Sequence, residues 1–455
     1  MCSSLLPRPM PRRRGAVTPL TVLSLSLLVG VVAMAVDSGT LMEARRHVQA
    51  TADAAALAGA SDLYTNYLSN QGIDSNGTAL KSAQDTASSN GFANDGVQST
   101  VTVRTSPQTY VGGPNQGKAL PAGYIEVTIQ YNASHLFSGV FGSGTTPVRA
   151  RAVARGRCAP LAATDAFALN LKASAALKVS NLLGGLAVNT NIQANSKSST
   201  AVQVSGLAKI TTPLITLNPN TGGLIGSILS FLLGIGGSTP TVTTCLPLPD
   251  PLRYLPVPDP VSLGLTTQGT NLTISSGNVD LYPGVYNGGI QISGTANVTL
   301  HANSDGTPGI YYLNGSNGFT ISGSASVKTA SSETAGIMIY NNWSSSTDAI
   351  NISSSGTITI TPPASGIYRG LSIFQKRGTL SSAGPTMSIN GQANTNVTGT
   401  IYAAHASVSL TASSSTNVSA GQIIADTISV SGLATLNINP GSQPTANARI
   451  LGLVE

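Results

Sequence analysis

Charged side chains are scarce in this sequence, and their scarcity limits what the chain can be. Only 9% of the 455 residues are charged, whereas about a quarter are charged in an ordinary soluble domain. Hydrophobic residues nevertheless make up 41%, and a disordered chain combines low hydrophobicity with high net charge. The composition therefore excludes intrinsic disorder. With 49 glycines, it favours strands joined by many tight turns.

A broad basic face is also missing, although the net charge is +6. Residues 1–50 hold six arginines against Asp37 and Glu43, and residues 149–157 add four arginines without an acid. The remainder of the chain is slightly acidic. Because nucleic-acid binding needs an extended basic patch, we do not expect nucleic acid as a partner.

The side chains that build metal and catalytic sites are sparse too. No Cys-x-x-Cys pair or Cys/His cluster indicates a metal site. Glycosidases need paired carboxylates about 5–9.5 Å apart, and the acids between residues 261 and 440 are scattered along the sequence. We therefore predict no cofactor and no enzyme activity. These acids are Asp280, Asp305, Glu333, Asp348 and Asp426.

Only three cysteines are present, and two of them, Cys158 and Cys245, follow the hydrophobic N-terminal run. In an oxidising compartment these two could form a disulfide. Two buried thiols without a bond are the alternative, and the sequence alone leaves both open.

A run of 21 residues without a charge, 16–36, dominates the N-terminus. As a helix it spans about 30 Å, the thickness of the hydrocarbon core of a bilayer. A cleaved signal peptide would have a shorter apolar region. Three arginines stand before the run and Asp37 follows it, so the positive-inside rule predicts a cytoplasmic tail at residues 1–15. One helix then crosses the inner membrane, and the chain continues outside the cytoplasm. The arginines are Arg12, Arg13 and Arg14.

Helical periodicity continues beyond the apolar run. Apolar and small residues recur at steps of three and four, which places them on one face of a helix. Because most of these side chains are small, another surface could approach closely, and we predict a partner surface there. The stripe comprises Leu41, Ala44, Val48, Ala52 and Ala55.

The same N-terminal segment resembles that of TadG-like Flp pilus-assembly (tight-adherence) proteins. The residues that carry the resemblance are Arg14-Gly15, Val36-Asp37, Arg45 or Arg46, Gln49 and the run 52–58. The resemblance implies a membrane-bound accessory protein whose partners are the bilayer and other pilus-assembly or envelope proteins. Pilin-like precursors cleaved after a glycine usually carry a glutamate five residues later, where this chain has Leu20. A permanent anchor is therefore favoured.

Residues 37–158 have the pattern of a small α+β domain. A second helix is predicted at 77–92, and strands at 97–104, 124–131 and 148–157, where apolar and polar residues alternate. Four arginines share one face of the last strand. This face could contact lipid headgroups or a partner, although a solvated sheet face is the simpler interpretation. The arginines are Arg149, Arg151, Arg155 and Arg157.

Beyond residue 159 the sequence becomes repetitive. An apolar-Ser-Gly unit alternates with a glycine followed by an apolar strand, and the second unit recurs every 22 to 34 residues through 284–436. Self-similarity at this spacing is typical of a solenoid, so we predict an all-β, right-handed parallel β-helix over 261–440, with a β-sandwich as the alternative. We assign 159–260 to an irregular β-rich region and a proline-rich linker, and 441–455 to a tail.

Two functional hypotheses remain. The first is a non-enzymatic accessory protein of pilus assembly or surface adherence. The second is a surface adhesin or glycan-binding protein that acts independently of pili. Its best candidate site for an acidic polysaccharide is the basic cluster Arg369, Lys376 and Arg377, with a solvated loop as the alternative. A carbohydrate-active enzyme is a weaker third, because it would require a cluster of carboxylates.

Overall fold

The computed structural model divides into two compact units. One comprises the chain up to Cys158 together with Ile450–Glu455, and the other comprises Ala159–Arg449. The structure describes residues 17–135, 145–160, 164–181, 185–206, 208–218, 240–331, 334–379, 383–392, 395–413 and 418–455.

In the described residues, helices lie in the N-terminal unit and strands make up most of the rest. The helices are α1 Val17–Thr65, α2 Tyr67–Asn70 and α3 Thr78–Ser89. The strands are β1 Ser99–Thr105, β2 Tyr124–Ser134, β3 Thr145–Pro160, β4 Ala166–Ala168, β5 Leu177–Asn181, β6 Gly185–Val188, β7 Asn191–Ala194, β8 Val202–Gly206, β9 Lys209–Thr211, β10 Leu214–Leu217, β11 Thr241–Thr244, β12 Thr267–Ile274, β13 Asn278–Leu281, β14 Gly284–Ile292, β15 Asn297–Leu300, β16 Gly309–Asn314, β17 Phe319–Gly323, β18 Ser326–Thr329, β19 Ile337–Asn342, β20 Ile350–Ser354, β21 Ile358–Ile360, β22 Leu371–Gln375, β23 Met387–Gly391, β24 Thr395–Ala412, β25 Val418–Gly432, β26 Leu436–Ile438 and β27 Asn447–Leu453.

The first helix is continuous over 49 residues. Its N-terminal part is long and apolar enough to cross a membrane, and none of its most apolar stretch is buried. The helix continues past Asp37 because the alanine-rich sequence that follows has high helix propensity. The prediction of one N-terminal apolar helix followed by a mostly β chain is confirmed.

The C-terminal part of α1 builds the core of the N-terminal unit. It packs against α3 and against one face of a sheet, largely through valines and alanines. Two glycines allow this close approach. A Cβ added at Gly59 would lie 2.3 Å from Cδ1 of Ile125. A Cβ added at Gly156 would lie 1.8 Å from the carbonyl oxygen of Ala60.

Four strands form the sheet of this unit, in the order β1-β2-β3-β27. The pairs β1–β2 and β2–β3 are antiparallel, with Val127 opposite both Val103 and Ala152. On the other side of β3, the backbone N–H of Val153 donates to the carbonyl oxygen of Glu455 at 2.8 Å. Strands β1–β3 and the C-terminal strand β27 therefore form one sheet.

Strands β4–β26 form one large sheet of parallel pairs that follow three ladders. In ladder 1, Tyr312 of β16 pairs with Tyr340 of β19, which pairs with Phe374 of β22. In ladder 2, Ile321 of β17 pairs with Ile352 of β20. In ladder 3, β15, β18 and β21 pair in the same way. The two repeated sequence units therefore stack on their own copies, the glycine-apolar unit in ladder 1 and the Ser-Gly unit in ladder 2.

The strands that precede the proline-rich run pair with strands from the C-terminal part of the repeat region. Ile424 of β25 pairs with Phe167 of β4, and Val430 of β25 pairs with Val179 of β5. Ladder 1 then continues through β7 and β10 to β11. Strands β4–β11 therefore extend the same ladders as β12–β26.

The middle strands of ladder 1, β16, β19 and β22, are buried on both faces. Along β16, Tyr311 belongs to the main core, whereas its neighbour Tyr312 belongs to a second core rich in aromatic rings. Residues 246–265, which we call the strap, contribute Leu252 and Leu255 to this second core. Since proline lacks the N–H that a ladder requires, the strap covers the sheet without adding a strand to it.

Candidate functional site

The residues predicted to set the membrane topology are only partly described. Asp37 lies inside α1 and is 7% exposed. The prediction that rests on Arg12, Arg13 and Arg14 lies outside the described residues. The topology therefore stays a prediction.

The stripe of small residues packs inside the N-terminal unit. Val48, Ala52 and Ala55 are fully buried in its core, and Leu41 and Ala44 are partly buried against it. The surface that approaches the stripe is supplied by α3 and the sheet. These three buried residues therefore contact other parts of the chain and offer no free surface, which corrects the prediction of an outside partner there.

The four arginines of β3 have different surroundings. Arg149 is exposed, and its Nε donates to Oε1 of Gln130 at 2.8 Å. Arg155 is partly buried, as is Arg157, whose guanidinium lies 5.5 Å from the ring centre of Tyr124. Of the predicted arginine surface, Arg149 is therefore the member most open to solvent.

The remaining arginine, Arg151, joins two acids that are distant in sequence. Its Nε donates to Oε1 of Glu126 and its Nη1 to Oε2 of Glu455, both at 2.5 Å. The Glu126 side chain is 1% exposed and also accepts the backbone N–H of Val111 at 2.8 Å. Burial lowers the pKa of Arg151, but the hydrogen bonds to Glu455 and Glu126 outweigh it and hold the pKa above its ordinary value. This network fixes β27 beside β3.

Sequence reasoning missed this network. One signal was available, because Glu126 stands at a polar position of β2 and the facing strand carries the arginines. Nothing in the sequence pairs Arg151 with Glu455, since 304 residues separate them.

The two candidate disulfide partners are not bonded in the structure. Cys158 is partly exposed at the end of the N-terminal unit, and Cys245 is exposed directly after β11. A disulfide between Cys158 and Cys245 in an oxidising compartment stays a prediction.

The basic residues predicted to hold polysaccharide contact the chain itself. Arg377 donates to the carbonyl oxygens of Leu252 at 2.6 Å and Leu255 at 3.0 Å in the strap. The Lys376 ammonium lies 3.4 Å from the carbonyl oxygen of Trp343. Their charges are therefore directed inward, toward the strap and the sheet.

Arg377 belongs to a larger latch between ladder 1 and the strap. Its Nε donates to the hydroxyl of Tyr402 at 2.6 Å, and that hydroxyl donates to Oδ2 of Asp250 at 2.5 Å. The guanidinium lies 5.2 Å from the ring centre of Phe374 and 5.1 Å from that of Tyr402. Burial, with the Asp250 carboxylate beside it, holds the pKa of the Tyr402 phenol above its ordinary value. The latch fixes the strap over the aromatic core.

The acids of the repeat region lie in separate environments. Oδ1 of Asp280 lies 3.2 Å from Nε2 of His301, so this acid has a histidine as its neighbour. Asp348 is buried, and burial raises its pKa, but hydrogen bonds from Ser344 and Ser345 outweigh burial and lower the pKa overall. In the part of the chain that the structure describes, no three His, Cys, Asp or Glu residues form a group that could hold a metal ion.

Family models match the N-terminal part of the chain. Residues 15–62 match the model for Flp pilus-assembly TadE/G-like proteins. Residues 58–154 match a second model, for Tad-like Flp pilus assembly. The N-terminal unit is Tad-like. The resemblance stated from the sequence is therefore confirmed, and a large sheet domain is attached to the Tad-like unit. No curated protein and no solved structure shows a significant match.

Proposed function

We propose that this protein is a membrane-anchored, non-enzymatic accessory component of Flp pilus assembly. In this proposal α1 crosses the inner membrane once, and the bulk of the chain lies outside the cytoplasm. The two Tad models, which together cover residues 15–154, support the pilus role. The observation that carries the proposal is the division of α1 into two parts: none of its most apolar stretch is buried, and its C-terminal part packs into the core of the Tad-like unit. A helix of this kind anchors a folded unit directly at the bilayer surface.

The large sheet serves, in this proposal, as a right-handed parallel β-helix that presents a long surface to pilus or envelope proteins. The parallel pairing along three ladders supports this architecture, because a strand meets its equivalent from the next repeat. At about 4.8 Å per strand, ladder 1 extends over roughly 50 Å. The strap and its latch support a static, structural role, because the strap covers the second, aromatic core of ladder 1.

A deletion strain tests the pilus role. We expect loss of surface pili and of adherence, restored by the wild-type gene and by a chain whose residues 17–36 are replaced with an unrelated transmembrane helix. A chain released by a cleavable signal peptide should fold but restore neither. Full piliation in the deletion strain would contradict the proposal, and full rescue by the released chain would show that the anchor is not required.

The non-enzymatic part of the proposal needs its own test. Asp280, Asp348 and Asp426 each change to Asn in a complementing gene, and we expect piliation to persist with each. Loss of piliation with a protein that remains folded and membrane-bound would indicate a catalytic acid. The alternative function, a glycan-binding adhesin independent of pili, has no specific observation in its favour because Lys376 and Arg377 contact the chain itself.

A further inference from the structure

The part of α1 directly after the apolar run exposes an unusual set of side chains. Met42 is 66% exposed, and Arg45 and Arg46 are exposed as well. Spacings of three and four residues place the three side chains on one side of the helix. Among the described residues, neither arginine forms an ion pair. An apolar side chain beside two unpaired cations is the composition that favours a membrane–water interface.

The height of these residues above the bilayer fits that interface. At 1.5 Å per residue, Met42 lies about 9 Å, Arg45 about 14 Å and Arg46 about 15 Å beyond residue 36 along the helix axis. The headgroup layer of each leaflet is about 5–7 Å thick. Helical side chains point back toward the N-terminus, which is toward the membrane here, and arginine extends its charged end along such a path. Both arginines can therefore reach the phosphate layer.

A second exposed apolar residue lies next in sequence to a residue that lines a groove beside α1. Val97 is 78% exposed, and its carbonyl oxygen accepts a hydrogen bond from Nδ2 of Asn132. The next residue, Gln98, lines a groove of about 330 Å³ together with Glu43 and His47 of α1. The hydrogen bond from Asn132 and the position of Gln98 therefore hold Val97 near this part of α1, with its side chain exposed.

We infer that the membrane-proximal end of the Tad-like unit binds the outer surface of the bilayer, with Arg45 and Arg46 on the phosphates of anionic lipids and Met42 and Val97 in the interface. This inference rests on the proposed anchor and extends it. The unit would then be oriented on the membrane as well as tethered to it. Such contacts restrict the tilt of the transmembrane helix, which otherwise averages about 20°.

Fluorescence quenching in vesicles tests the contact on the full-length chain. Its three native cysteines are changed to serine, and a polarity-sensitive probe is attached to a new cysteine at Met42, Val97, Ile73 or Val29. Ile73 is a matched control, since it is apolar, 43% exposed and beyond the far end of α1. We expect headgroup-labelled lipid to quench the probes at Met42 and Val97 at least several times more strongly than the probe at Ile73.

The probe at Val29 separates the two proposals, because it lies inside the apolar run. Quenching of Val29 by acyl-chain-labelled lipid together with no quenching at Met42 and Val97 would overturn the inference while the anchor stands. No quenching at Val29 would overturn the anchor, and the inference with it.

Charge dependence tests the arginines. A basic residue near an anionic surface contributes about a five-fold preference for anionic lipid. The two arginines together should therefore make quenching by labelled phosphatidylglycerol exceed quenching by labelled phosphatidylcholine by up to about 30-fold at low salt. The double variant Arg45→Gln/Arg46→Gln should lose this preference, whereas Arg149→Gln should keep it. Equal quenching by both lipids in the wild-type chain, or loss of the preference with Arg149→Gln as well, would contradict the assignment to Arg45 and Arg46.

Discussion

The strap latch offers a sharp test of how the large sheet is held together. Replacing Arg377 with methionine keeps a long side chain against the rings of Phe374 and Tyr402 but removes every hydrogen bond of the guanidinium. The carbonyl oxygens of Leu252 and Leu255 and the hydroxyl of Tyr402 then lose their donor or partner. These hydrogen bonds are lost in a largely buried environment, because only 18% of the Arg377 side chain is exposed.

The magnitude follows from these contacts. A hydrogen bond to a charged group contributes about 1.5–3 kcal/mol, but three bonds from one group are not additive. Breaking a buried charged contact on one side costs about 3–5 kcal/mol. Because Arg377 keeps some solvent access, we expect a loss near the lower end, about 3 kcal/mol. For a unit of this size that lowers Tm by about 5 °C.

Thermal unfolding of the full-length protein in detergent measures this change, and limited proteolysis within the strap reports whether it undocks. Arg369→Met is the matched control, because the hydrogen bond of the Arg369 side chain within the described residues is long, 3.5 Å to Oδ1 of Asn447. We expect its Tm to stay within about 2 °C of the wild type. If Arg377→Met and Arg369→Met have the same Tm and the same cleavage pattern, the latch does not stabilise the strap.

Three further outcomes are expected. Ile321→Asp should lower the free energy of unfolding by more than about 4 kcal/mol or prevent folding, because a charge would be buried in a stack of isoleucines. Ser322→Ala, at the next residue, should lower it by less than about 1 kcal/mol. Equal losses of the two variants in urea unfolding would argue against the stack. Gly156→Ala should separate α1 from the sheet, since its Cβ would lie 1.8 Å from the carbonyl oxygen of Ala60, and unchanged hydrogen exchange of α1 would refute this. Because the pKa of Asp348 is lowered in the folded state, its carboxylate should stabilise the fold at pH values above the unfolded pKa of about 3.9. This stabilisation should be lost as the pH falls through the folded pKa. An Asp348→Asn variant whose stability depends on acid pH in the same way as the wild type would contradict this prediction.

The sequence was informative wherever a local period decided the structure. The charge-free run and the steps of three and four predicted the helix of the N-terminal unit, and the spacing of the repeats predicted which strands would be alike. Equivalent residues such as Tyr312 and Tyr340 then pair in adjacent parallel strands, although the repeats differ in length.

Contacts between distant segments could not be predicted in this way. Any strand rich in valine and isoleucine can pair with any other such strand, so the sequence did not reveal that Val430 pairs with Val179. The small-residue stripe predicted a close partner, and the same stripe cannot indicate that this partner is α3 of its own chain. Asp280 and His301 lie 3.2 Å apart although 21 residues separate them in sequence, so the sequence alone did not pair them. Basic residues such as Arg377 have the sequence pattern of a ligand site, and only the structure shows that Arg377 binds the strap.

The central claim is that an uncleaved N-terminal helix anchors the chain and carries everything after Asp37 out of the cytoplasm. Protease treatment of spheroplasts tests it, with a tag at the N-terminus and the mass of the membrane-retained fragment as the readout. We expect the C-terminal region to be degraded and a tagged fragment that contains residues 1–36 to remain in the membrane. A mature protein that begins after residue 36, or a C-terminal region protected inside the spheroplasts, would contradict the account.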